Sequence, residues 1–70
     1  MTLSKAEPGR EYIIKKVAAG DRELEAFLFS LGCYSGEPIT LISHLRGGSV
    51  VSLKESRYNI DSQLAEAIYI

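Results

Sequence analysis

With 70 residues, of which 46% are hydrophobic and 24% charged, and a formal net charge of −1, the chain reads as one small globular domain rather than a disordered segment. Its scattered Lys and Arg residues argue against sequence-independent nucleic-acid binding, which needs clustered cations to neutralise phosphates. One cysteine cannot form an internal disulfide, no apolar run follows Met1, and no stretch nears the roughly 20 residues that cross a bilayer, so a cytoplasmic location is expected.

Thr2 to Pro8 reads as a lead-in, closed by a turn at Pro8-Gly9. Tyr12, Ile13, Ile14 and Val17 give a β-prone run, and a first strand is expected over residues 10–17. Asp21 then offers an N-cap, with Glu23 and Glu25 near the positive end of the helix dipole. Leu24, Phe27, Leu28 and Leu31 follow the i, i+3, i+4, i+7 spacing of a helix that turns one stripe to a core. Gly32 stands where a left-handed residue would stop that helix.

Gly36-Glu37-Pro38 is a second turn. From Ile39 to Leu45 the pattern is strand-like, with Ile39, Leu41 and Leu45 assigned to one face and Thr40, Ile42 and His44 to the other. Arg46-Gly47-Gly48-Ser49 is a hairpin turn, in which both glycines are expected to supply positive φ. Val50 to Lys54 returns as the paired strand, and residues 57–60 form another. Asp61 or Ser62 caps one short helical turn over 63–66, and Ala67 to Ile70 closes the chain as a strand that must dock to be ordered. The order predicts a mostly β domain with one packed α-helix, arranged as a small, partly open barrel.

Catalytic parts are scarce. Gly47-Gly48 lacks the context of a phosphate-binding loop. His44 and Cys33 are each unique, and no orienting motif joins them into a nucleophilic pair. His44 reads as a polar-face strand residue and Cys33 as a buried thiol; two such side chains fall short of the four that a structural zinc site takes. The expectation is a protein with no catalytic residues, cofactor or metal ligands of its own. Two aromatics suggest a binding surface instead: Phe29, on the helix side away from the Leu24/Leu28/Leu31 stripe, and Tyr34, in the turn after Gly32.

The motif Leu28-x-x-Leu31-Gly32-x-x-x-Gly36, with Leu3, Gly9, Ile39, Leu41, Ser56-Arg57-Tyr58 and Ala67-Ile68-Tyr69-Ile70 in order around it, resembles the ferrous iron transport protein A family. The resemblance covers nearly the whole chain. Phe27 and Phe29 stand where family members often carry basic residues, Ser35 where proline is common, and Glu55 where a glycine is usual. The resemblance implies an SH3-like barrel and a non-enzymatic accessory of a bacterial ferrous iron transporter. Its implied partner is the cytoplasmic, GTPase-bearing portion of the permease, with the membrane reached only through it. Phe29, Tyr34 and Arg57 are the expected contact residues, and Gly32, Gly36, Gly47 and Gly48 the structural turns. A homo-oligomer formed by exchange of the terminal strand is a further expectation. The runner-up is a freestanding regulator or metal sensor, since the same SH3-like unit forms the C-terminal domain of iron-dependent repressors.

Overall fold

The computed structural model describes residues 1–70. The chain runs through a 3-10 turn (Leu3–Lys5), β1 (Glu11–Ile13), β2 (Lys16–Val17), α1 (Arg22–Leu31), β3 (Pro38–Leu45), β4 (Gly48–Leu53), β5 (Ser56–Asp61), α2 (Ser62–Ala67) and β6 (Ile68–Tyr69). Four strands form an antiparallel sheet in the order β1-β3-β4-β5, and β2 pairs with β6 in a second, two-stranded sheet. The mostly β, partly open barrel expected from the sequence is what forms. The run expected as one strand over 10–17 is split. Ile14 donates its amide to the carbonyl of Glu37, just before β3 of the large sheet, whereas the next residue, Lys15, donates to that of Tyr69 in the small one. The strand thus changes sheets within two residues, as chains do at barrel corners.

α1 starts and stops for the reasons its sequence suggests. The Asp21 carboxylate accepts from the amides of Glu23 (2.9 Å) and Leu24 (3.4 Å), two donors that the first turn otherwise leaves without partners. At the other end Gly32 adopts φ 102°, ψ 17°, and Cys33 donates back to Leu28. The buried stripe is narrower than expected. Leu28 is fully buried, Leu24 and Leu31 partly so, and Phe27 is 48% exposed. Successive residues lie about 100° apart around a helix, so Phe27 and Phe29 flank Leu28 on either side and neither reaches the centre of the core.

Two further expectations are corrected. A bulge between Leu41 and Ser43 inverts the alternation of β3, because one extra residue moves every later side chain to the opposite face. Leu45 therefore points to solvent at 49% exposure instead of joining Ile39 and Leu41 in the core. His44 pairs with the buried Ser49, and its Nε2 lies 2.8 Å from the Ala6 carbonyl oxygen. Residues 2–8 are not merely a lead-in either. Leu3 and Ala6 belong to the core, with Leu3 fully buried against α2.

The hairpin glycines do different jobs. Gly47 takes φ 78°, but Gly48 does not need positive φ. A Cβ on Gly48 would meet the Ile60 carbonyl oxygen at 2.3 Å, so that position requires glycine for close strand approach. β4 and β5 are joined by Lys54 and Glu55 alone, at φ 50° and 69°. Positive φ at both central residues is the backbone of a tight hairpin that normally favours Asn-Gly, and here it is built without glycine. α2 is capped by Asp61, whose Oδ1 accepts from Leu64 at 2.8 Å. β6 lies between two neighbours: β2 on one side and residues 1–2 on the other, where Thr2 bridges Tyr69 and Ile70 donates to Met1.

Candidate interaction surface

The turn after α1 brings together two of the three expected contact residues. Gly32 reverses the chain and Cys33 turns inward to 2% exposure, which leaves Tyr34 facing out beside the last turn of the helix. The rings of Phe29 and Tyr34 stack with centroids 5.7 Å apart and planes 8° from parallel, while 38% and 49% of the two residues stay in contact with water. The turn is rigidly held. Glu37 donates to the Tyr34 carbonyl, Gly36 donates to Ile14, and the Ser35 hydroxyl donates to the Lys15 carbonyl at 2.8 Å. The stack is therefore presented on a fixed backbone rather than on a mobile loop.

Lys54 was not singled out by its sequence context, yet it completes the arrangement. From the β4–β5 turn its Nζ lies 5.9 Å from the centre of the Tyr34 ring and 3.6 Å from a Glu37 carboxylate oxygen. Its aliphatic stem crosses the space a side chain at Gly32 would occupy, with Cε 3.0 Å from that point. Nothing within the Lys54-Glu55 dipeptide signals this, because its partners Gly32, Tyr34 and Glu37 lie far back along the chain. Phe27 is the other residue missed as a surface group, having been placed in the core stripe. Arg57 lies apart from the stack. It is exposed on β5 opposite Ser52 and forms no ion pair with a carboxylate of this chain.

Burial pushes the Cys33 thiol up from 9.0 to about 11, so it stays protonated at neutral pH, as its reading as an inert core thiol requires. No three His, Cys, Asp or Glu side chains converge in a way that could hold a metal ion, and no pocket indents the surface. No helix is long and apolar enough to cross a membrane. The exposed apolar features include the aromatic stack, Phe27, Ile13 and Leu45.

Fold and surface together define a small SH3-like barrel domain that carries a rigid, solvent-facing aromatic pair. The chain belongs to the FeoA domain family, whose model matches residues 1–70. Among solved structures it is similar to a FeoA described as an iron uptake regulatory protein, at 28% identity and TM-score 0.85, over 97% of this chain and 91% of that one. It is also similar to the FeoA of Stenotrophomonas maltophilia complexed with zinc, described as a prokaryotic SH3 domain protein. That match has 18% identity and TM-score 0.88, over 99% and 87% of the two chains. A manganese-dependent transcriptional repressor matches all of this chain at TM-score 0.91 and 15% identity, and the chain spans 40% of that repressor's length. At such identity the likeness is one of fold. No curated protein matches the chain.

Proposed function

We propose that this protein is a small accessory and regulatory component of a bacterial ferrous iron transporter. It works in the cytoplasm by binding the GTPase-bearing portion of the permease and biasing that partner's conformational equilibrium. Family membership supports the transport setting. The observation that carries the contact mode is the Phe29–Tyr34 stack, a pre-ordered and partly exposed aromatic pair that loses little side-chain freedom on docking. Aromatic anchors of this kind dominate binding energy at protein interfaces. Arg57 is the third contact residue, reaching a partner from the edge of β5.

The test is capture of the permease's cytoplasmic portion by purified wild-type, Phe29→Ala and Tyr34→Ala proteins, with ferrous iron uptake measured in cells carrying each form. Each substitution is expected to weaken capture about tenfold, the loss typical of an interface hot spot, while the thermal melt shows a folded protein. Undiminished capture and uptake in both variants would sink this reading.

A second reading is favoured by one specific observation, the likeness in fold of this whole chain to part of a manganese-dependent repressor. In it the chain is a freestanding regulatory or metal-sensing module. Calorimetric titration with ferrous or manganous ion separates the two, since stoichiometric, tight binding belongs to a sensor.

A further inference from the structure

We infer that the free edge of β5 is a self-complementary interface, and that its occupant is β5 of a second copy of this chain, paired antiparallel about Asn59. β5 is the last strand of its sheet, bonded to β4 on one side and to no strand on the other. Which of its backbone groups are free follows from the hairpin. A two-residue turn makes the flanking pair, Leu53 and Ser56, a hydrogen-bonded pair, and bonding then recurs at every second residue. Ser56, Tyr58 and Ile60 thus spend their amides and carbonyls on β4, whereas Arg57 and Asn59 aim both of theirs outward and Asp61 its amide, its carbonyl accepting the first bond of α2. Their side chains share the solvent face, and all three are exposed.

The order of these residues favours a second copy over an unrelated strand. In an antiparallel pair centred on Asn59, the two Asn59 residues face each other and exchange amide-to-carbonyl bonds. Arg57 then lies opposite the second copy's Asp61, and Asp61 opposite its Arg57, so one opposite-charge pair forms twice by symmetry. Arg57 has no carboxylate partner within its own chain. Asp61 gives Oδ1 to the cap of α2 and keeps Oδ2 free. A strand edge protected against association carries charges of one sign that repel their own image. This edge presents opposite charges placed symmetrically about a neutral residue, which attracts its image. The surface does not use the Phe29–Tyr34 stack that carries the transporter reading and shares only Arg57 with it, so Asn59→Pro, which leaves Arg57 and the stack in place, tests this inference apart from that one.

Sedimentation velocity over a range of concentrations reads the result. Wild type is expected to dimerise, more weakly as salt is raised. Asn59→Pro removes an outward amide without touching the β4 ladder and is expected to weaken the dimer at least tenfold while remaining folded. Arg57→Asp and Asp61→Arg are each expected to be monomeric alone, since each brings like charges together at both ends. Mixed in equal amounts, they restore every opposite-charge pair and form a heterodimer. A thermal melt of Asp61→Arg checks that loss of its cap has not unfolded it; Asn59→Pro stands as the test if it has. A wild type that stays monomeric at millimolar concentration overturns the inference. So does a dimer that survives Asn59→Pro, or an Arg57→Asp plus Asp61→Arg mixture that fails to associate while both variants are folded.

Discussion

Adding one methyl group at Gly48 tests the claim that β4 and β5 are held at a separation only glycine permits. The new Cβ would sit 2.3 Å from the Ile60 carbonyl oxygen and 3.2 Å from the Asp61 Cα, both backbone atoms that no rotamer change can move aside. Relief requires β5 to draw away, loosening the Ser49–Ile60 pairing, where both residues are buried. A clash of this kind costs about 1–3 kcal/mol, and each weakened sheet hydrogen bond adds about 1 kcal/mol, so Gly48→Ala is expected to destabilise by roughly 2–3 kcal/mol. For a domain of this size each kcal/mol moves Tm by about 4–8 °C, which places the fall at roughly 10–20 °C in a circular dichroism melt. Gly47→Ala is the control. It meets nothing within 4 Å and bears only its φ of 78°, a penalty of about 1–2 kcal/mol that Gly47→Asn should largely recover. Asparagine at position 48 should recover nothing. A Gly48→Ala protein that melts with the wild type, or one rescued by asparagine, would refute the close-approach argument.

Glu55→Gly should raise stability by about 0.5–1 kcal/mol, because it relieves a non-glycine residue at φ 69° in an exposed turn; urea denaturation gives the value, and a lower midpoint would contradict it. Cys33 should resist a thiol reagent in the native protein at pH 8 and react at once in urea. Because folding raises its pKa, the thiol's contribution to stability is complete below pH 9.0 and is lost as pH climbs toward about 11. Cys33→Ala should lack that part of the alkaline decline, and identical pH profiles for the two proteins would count against the burial argument.

Local chemistry was legible from the sequence, and geometry that depends on distant residues was not. Asp21 and Gly32 announce helix ends because capping needs only residues within one turn, and both act where expected, while of the two candidates Asp61 and Ser62 it is Asp61 that caps α2. The strands about Gly47 could be located for the same reason. The bulge in β3 could not, since Leu41-Ile42-Ser43 carries no turn residue, and so Leu45 was expected in the core though it faces solvent. Leu3 and Ala6 lie in a segment too short to show a period, and tertiary packing buries them. At the surface, the positions of Phe29 and Tyr34 in sequence suggested exposure, but their stacking depends on the angle of the turn between them. Lys54 entered the site solely through tertiary contact. Gly48 looked like a second flexible hinge, while its true constraint is the carbonyl of a strand twelve residues on.

The placement of β6 bears on how the molecule is made. Its two residues bond to Lys16 and Val17 on one flank, and Thr2 and Met1 meet Tyr69 and Ile70 on the other. Residues 2 and 16–17 therefore pair with a strand more than fifty positions along the chain, a contact that closes only after the segments between have been made. Until residues 68–70 dock, Thr2, Lys16 and Val17 have no strand partner, and a chain caught in that state is held open to chaperones and proteases.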